Sequence, residues 1–310
     1  MSRALMRSAS TSRVHLALLT VATLFSLNYI ISKLAMHAFH PIAFAYLRVL
    51  GSAIVLQFVL PRDRAPIAPA DSRSLIGFAL LGVVLNQTLL LGGLALSNAH
   101  IAAILITTIP VFALAAAIVI GRERATLLKV GGILLAAGGA LLVVGGEGFE
   151  GTRRSTIGAI LIVLNSLSYA LYLVLSKPLM ARLSARRVIR RMFVTAAVIM
   201  IPIAAVPLAR TRWSTIPPRA WVALGLVIAG PTVAAYLLNA WALAHTESSL
   251  VAAYTYVQPF LTTILAAIYL NETIRPIVIV AAAMIFAGVY MSGRPAPPAA
   301  RAEAVPGNPD

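Results

Sequence analysis

Five side-chain amides stand inside otherwise apolar stretches of this chain: Asn28, Asn86, Gln87, Asn165 and Gln258. Tyr169, Tyr172, Tyr236 and Tyr254 stand in similar surroundings, as does Thr108. An amide offers both donor and acceptor, and a phenol offers an apolar ring with a polar tip, so such groups can grip a small polar solute. The clearest pattern is Asn165, Ser168, Tyr169, Tyr172 and Ser176, which follow i, i+3, i+4, i+7, i+11 and form one stripe on a helix. Tyr254, Gln258 and Thr262 repeat at four-residue spacing. Each type also has a structural use. Hydroxyls bond back to their own helix, amides hold neighbouring helices together, and tyrosines pack.

Other chemistry is poorly supplied. With no cysteine, thiol catalysis and cysteine-based metal sites are excluded, and no His/Asp/Glu grouping has metal-ligand spacing. No cofactor is expected. No Asp or Glu falls at the centre of an apolar stretch, so an intramembrane carboxylate for ion coupling is lacking. His37, His40, His100 and His245 all lie near the ends of such stretches. An integral-membrane enzyme would need paired acids or a nucleophile with its base, and a channel would need a charged ring or carbonyl filter. Both are weaker readings than a carrier.

The elements that must position these residues are membrane helices. The composition is 60% hydrophobic and 11% charged, with a mean hydropathy of +0.92, too few charges to cover a soluble protein of this size. A bilayer core needs about 20 helical residues. Suitable spans are 14–36, 41–60, 74–96, 99–120, 126–145, 156–177, 190–209, 218–244, 248–270 and 274–292. The expected fold is all-α and integral to the membrane, with ten transmembrane helices. Residues 1–13 are expected as an N-terminal tail. Residues 293–310, rich in Pro and Ala, are expected as a disordered one. Pro110 and Pro259 fall within predicted spans, where a missing N–H bends a helix and offers a hinge.

The net charge of +16 is unevenly spread. With the N-terminus inside, 17 of the 25 Lys and Arg residues fall on that side and 7 on the other, while Arg48 lies within the second span. That is the positive-inside pattern with both termini cytoplasmic, and not a nucleic-acid surface. Residues 177–191 form the most basic inner loop of this topology.

The chain is also duplicated. A shift of 149 superposes Ala95, Pro110, Glu123 and Gly139 on Ala244, Pro259, Glu272 and Gly288. A shift of 144 carries Ser32-Lys33 onto Ser176-Lys177, and one of 143 carries Arg48 onto Arg191. Each unit holds five spans, so the second copy inserts upside down relative to the first. Two inverted five-helix repeats enclosing a midplane site are a recurring architecture of secondary transporters. The gate candidates are the paired charges Lys33, Arg48, Lys177, Arg191, Glu123 and Glu272. Each also has a plain reading. Glu123 and Glu272 suit the positive end of the helix that follows them, and the two arginines can snorkel to the interface.

The ordered motifs resemble a known family. Asn28-Tyr29-Ile30-Ile31-Ser32-Lys33, then Pro41 and Leu47-Arg48, Thr108-Ile109-Pro110, Gly121-Arg122-Glu123 and the glycine-rich run from Gly131 to Gly146 form the first set. Ser176-Lys177, Arg191, Gln258-Pro259, Asn271-Glu272 and Gly288 repeat it. The chain resembles EamA-type members of the drug/metabolite transporter superfamily over roughly 14–292. Repeats at 14–145 and 156–292 follow from that likeness. It departs at Phe25-Ser26-Leu27, where the family often has Trp-Gly-Ser. The resemblance implies movement of small polar metabolites, amino acids among them, with export favoured, across a bacterial inner membrane. The partners expected are a small-molecule substrate and membrane lipid. The topology has a direct test. A reporter active only in the cytoplasm, fused after Ser292, should be active, and a periplasmic signal there would break the ten-span count.

Overall fold

The computed structural model describes residues 2–60, 68–121, 125–150, 152–245, 254–273 and 276–292. Among the described residues every regular element is helical. The helices are α1 (Ser2–Ala35), α2 (Pro41–Val59), α3 (Pro69–Leu96), α4 (Ala99–Val119) and α5 (Leu127–Glu150), then α6 (Arg153–Arg182), α7 (Ala185–Arg210), α8 (218–245), α9 (Val257–Leu270) and α10 (Pro276–Ser292). Seven of these rods carry stretches long and apolar enough to cross a bilayer, in α1–α4 and α6–α8. The apolar parts of the other three, Leu127–Leu142, Val257–Leu270 and Pro276–Gly288, are shorter. Large side chains such as Phe58, Val119, Leu134, Phe260 and Ile279 stand exposed around the outside, an apolar surface that suits lipid and not water.

Several boundaries differ from the sequence expectation. α1 runs back to Ser2, so the described part of the expected tail is helical. α3 begins at Pro69, which places Asp71 in its first turn and not in a loop. The basic stretch 177–191 is not a loop. α6, with Pro178 inside it, and α7 continue through it and meet at Leu183 and Ser184. Residues 61–67, with Asp63 and its neighbouring prolines, and the tail 293–310 lie outside the described residues.

Three helices depart from plain α geometry. α3 contains a π segment at Leu80–Leu85, and α8 contains one at Ile228–Ala234 around Pro231. The repeat offset of 149 carries the first almost onto the second. α4 is interrupted at Thr107 and Thr108, whose hydroxyls turn back onto Ile104 O and Leu105 O, both at 2.6 Å. Pro110 therefore sits in the first turn of a half-helix, Ile109–Val119, and not in mid-helix as expected. Its absent N–H has no partner to lose there. Pro259 likewise lies in the first turn of α9, after a short 3₁₀ turn at Tyr254–Tyr256.

Apart from α5 and α6, which are joined in sequence, the principal packing partners between the two halves are α5 with α10, α3 with α6, α1 with α8, α4 with α6, α2 with α7, α1 with α9, α3 with α7, α2 with α8, and α4 with α9. Exchanging α1–α5 with α6–α10 maps this set onto itself. Without a hydrophobic drive between helices in lipid, such contacts rest on close approach, which small residues permit. A Cβ on Gly158 of α6 would lie 2.8 Å from Gly93 O of α3, and one on Gly139 of α5 would lie 2.8 Å from Ala281 O of α10. Gly288 meets Gly132 O at the same α5–α10 crossing.

These crossings make a paired prediction. Gly158→Ala should destabilise the detergent-solubilised protein by about 1–3 kcal/mol, because two backbones must separate. Gly77→Ala, in α3 with open space around it, should stabilise by up to about 1 kcal/mol through helix propensity alone. Thermal unfolding of both variants checks the sign of each.

Candidate functional site

The polar residues of the apolar interior converge from α1, α3, α4, α6, α8 and α9. Asn28, Asn86, Gln87, Thr108, Asn165, Tyr172, Thr232, Gln258 and Thr262 are all buried, and Tyr169 and Tyr236 are half-buried. The π segment of α3 helps to set the arrangement. Such a segment leaves carbonyls poorly matched within the helix, and neighbouring side chains complete them. Ser168 Oγ donates to Leu81 O at 2.9 Å and Asn165 Nδ2 to Asn86 O at 2.7 Å, so α6 docks on α3 through the predicted polar stripe. Ser166 Oγ reaches Leu105 O of α4 at 3.3 Å, beside the interruption. Gly82, inside the π segment, lies under the Tyr172 ring, and a Cβ there would come within 2.7 Å of it.

The tyrosines then link α6 to α8 and α7. Tyr169 and Tyr172 have ring centroids 5.4 Å apart, and Tyr236 meets Phe193 edge to face at 5.5 Å. Both Tyr169 and Tyr172 interact electrostatically with Tyr236. On the α1 side Ser32 Oγ donates to Asn28 Oδ1 at 3.1 Å, and Ser26 Oγ contacts Gln258 O at 3.3 Å. Several buried polar atoms here have no hydrogen-bond partner: Gln87 Oε1, Asn165 Oδ1, Ser52 Oγ, Thr262 Oγ1 and Arg48 Nη1. Orphans of this kind are expensive in an apolar interior, and their number here makes this region the candidate site.

One predicted residue falls elsewhere. Tyr254 bonds His15 Nδ1 at 2.6 Å and packs on a small separate cluster of Val14, Leu18 and Ala242. Tyr29, by contrast, is buried beside Arg48 although it is not among the residues expected at the site. It follows Asn28 directly and so faces about 100° away from it on the same helix.

Arg48 does not snorkel. It is 2% exposed, and its Nε donates to Thr232 Oγ1 of α8 at 2.7 Å. Arg191, its sequence counterpart, is exposed on α7, and Lys177 lies near the end of α6. Glu123 lies outside the described residues.

Glu272 also departs from expectation, since it caps α4 and not the helix that follows it. Asn271 ends α9 in the left-handed region at φ 52, and Glu272 N then bonds back to Ala266 O at 3.3 Å, closing the end of the helix. That turn aims the carboxylate at the α3–α4 junction. Its Oε1 accepts from Ala99 N at 2.8 Å and from Lys33 Nζ at 2.6 Å, and its Oε2 accepts from His100 N at 3.2 Å. His100 Nδ1 lies 2.8 Å from Oε2 and must carry the proton, because an ionised carboxylate can only accept. Lys33 Nζ also donates to Ser97 O at 2.9 Å, at the C-terminal end of α3. One ion pair thus places a cation on a carbonyl end and an anion on an N–H end, both favoured by the helix dipoles. It ties together α1, α3, α4 and α9. At the opposite end of α3, Asp71 pairs with Arg182 of α6.

The hydrogen bonds from His100, Lys33 and Ala99 outweigh the effect of burial and hold the Glu272 carboxyl at about 2, below its ordinary 4.5. A carboxylate so depressed contributes stability in full above its ordinary range and loses it as pH falls toward 2. The difference amounts to roughly 3 kcal/mol. Between pH 7 and 5 the advantage of the wild type over Glu272→Gln in thermal unfolding should be constant. It should shrink steadily below about pH 4.5. Equal melting of both proteins at pH 7 would remove this carboxylate from the structural account.

Comparison with known proteins follows the same division of the chain. The EamA-like transporter family matches residues 12–145 and 156–294. An uncharacterized transporter of Archaeoglobus fulgidus is 27% identical over 284 residues, covering 91% of this chain and 97% of that protein. A solved crystal structure superposes with a TM-score of 0.59 at 17% identity, over 93% of this chain and 98% of its own, and shows a shared fold. Two family matches, one on each half of an apolar helical chain, leave little of the sequence outside them, and the protein belongs to the EamA-like transporter family.

Proposed function

We propose that the protein is a secondary carrier that exports small polar metabolites, amino acids among them, by alternating access around the buried polar cluster. The observation that carries this reading is the convergence of partnerless polar atoms, Gln87 Oε1 and Asn165 Oδ1 above all, at the meeting of helices from both halves of the chain. Groups that only hold helices together would be expected to complete one another's hydrogen bonds. Groups that receive a solute leave bonding capacity over.

The architecture of this reading is ten crossings in two inverted repeats, in a bacterial inner membrane with both termini cytoplasmic. The exchange symmetry of the helix contacts and the near-equivalence of the two π segments support it. So do the two ion pairs at opposite ends of α3. On this topology Lys33, Glu272 and the start of α4 close the outer face. Glu123 and Lys177 are their counterparts in the sequence repeat and the gate candidates of the inner face. Rocking of the repeats would make one closure while breaking the other. The interruption at Thr107 and Thr108, with Pro110 and Pro259 opening half-helices beside the cluster, gives the motion its hinge points.

Counterflow in proteoliposomes tests the reading. Saturable exchange of a labelled solute supports a carrier, whereas unsaturable conductance would make the protein a channel. Asn165→Ala and Gln258→Ala should each lower counterflow by about tenfold or more, the equivalent of one buried hydrogen bond to solute. Full transport in both variants at normal membrane abundance would make these amides helix glue and move the site elsewhere.

A further inference from the structure

Arg48 carries the single charge of α2 and lies seven residues from Pro41, about 10 Å along the helix. A chain of this length could lay its stem along the helix and reach the interface. Instead the guanidinium turns inward. Thr232 Oγ1 donates its proton to Val227 O at 2.8 Å, a bond of the π segment, and so presents a lone pair to Arg48 Nε at 2.7 Å. The π segment thereby fixes the orientation of the arginine. Arg48 Nη1 is buried and has no hydrogen-bond partner.

No carboxylate is among the groups acting on this cation, which are the hydroxyls of Tyr236 and Tyr29. Of the described acids, Glu272 is engaged by Lys33 and His100, and Asp71 by Arg182. Glu147 and Glu150 fall in the last turn of α5, and Asp63, Glu123, Glu247, Glu303 and Asp310 lie outside the described residues. A cation at this depth is costly unless an anion answers it. Among the described residues nothing else supplies one.

We propose that Arg48 anchors the carboxylate of the solute, and that the solutes carried are small monocarboxylates with an apolar or aromatic body. This rests on the carrier reading above and narrows its substrate class. One fixed positive charge balances one negative charge. Nη1 and the Tyr29 or Tyr236 hydroxyl can each donate to one carboxylate oxygen, a charge-assisted arrangement with defined direction. Tyr169, Tyr172, Tyr236 and Phe193 supply an aromatic wall for the body of the solute. Where a solute also carries an ammonium group, Gln87 Oε1 and Asn165 Oδ1, which have no hydrogen-bond partner, are acceptors for it.

The test uses matched probes on the full-length protein: benzoate against benzamide, phenylacetate against phenylacetamide, and L-phenylalanine as the zwitterion, at constant chloride. Binding is read by the thermal shift of the detergent-solubilised protein, and transport by counterflow in proteoliposomes. The wild type should bind each carboxylate at least about tenfold tighter than its amide. Arg48→Met should erase that preference, and Arg48→Lys, which keeps the charge but not the fork, should retain part of it. Should Arg48→Met not fold, the carboxylate–amide comparison in the wild type and in Thr232→Val, which frees the guanidinium from its support, decides the question. Equal binding of acid and amide, a preference that survives Arg48→Met, or a shift produced by chloride alone overturns the anchor. Arg48-dependent binding without any counterflow upholds the anchor and overturns the carrier reading. Counterflow of the amides or of L-phenylalanine as fast as that of the carboxylates, unchanged in Arg48→Met, does the reverse.

Discussion

Within the hydrocarbon of a bilayer no water is available to a polar group, so each must be answered by another part of the chain. The structure of this protein follows from how that demand is met and where it is left unmet. Backbone groups are answered by helix formation, and the places where helices deviate are answered by side chains of the same or a neighbouring helix. The π segment of α3 is completed by Ser168 and Asn165 of α6, and that of α8 by Thr232, which then holds Arg48. Each irregularity is therefore also a docking point. A regular helix with the same composition would have had no reason to bind its partner at that register.

At the ends of the helices the same demand produces a different solution. The α3–α4 turn presents an orphan carbonyl and orphan N–H groups side by side, and an ion pair from two other helices answers both. Lys33 and Glu272 are 239 residues apart in sequence. The bond between them joins the first and second halves of the chain at one face. A contact so rich in charge is strong when made and costly when one partner is removed, which is the property a closure needs if it is to have two distinct states. The packing of α5 on α10 has a different character. Gly132, Gly139, Ala281 and Gly288 bring backbones into contact without charge, and that pair suits a fixed post better than a moving part.

Between these two regions lies the cluster of Asn86, Gln87, Asn165, Tyr172, Tyr236 and Arg48, where the demand is incompletely met. Its members come from both halves of the chain, and no single repeat could assemble it. This is the structural reason for reading the duplication as functional and not merely historical. The cluster lies where helices of the two matched repeats meet. The copies have also diverged there. Arg48 is buried while Arg191 is exposed, so whatever chemistry the cluster performs is not two-fold symmetric.

Much of this was legible in the sequence, because its physical causes are local. Membrane helices declare themselves by length and hydropathy, the duplication by fixed offsets, and the α6 stripe by its 3.6-residue period. The mid-depth amides stood out since any polar group there needs a reason. Tertiary structure alone decided the rest. Nothing near Glu272 in sequence indicates that a left-handed Asn271 would turn its carboxylate onto a helix 172 residues away. The inward turn of Arg48 depends on Thr232, 184 residues distant, and on a π segment that composition does not announce. Tyr29 was hidden by its neighbour, and the two prolines looked like mid-helix kinks because the break at Thr107 and Thr108 is made by side chains folding back on their own backbone. Pattern along a chain shows which groups must find partners. Which partners they find is set by the helices that come to lie beside them, and that is a property of the folded whole.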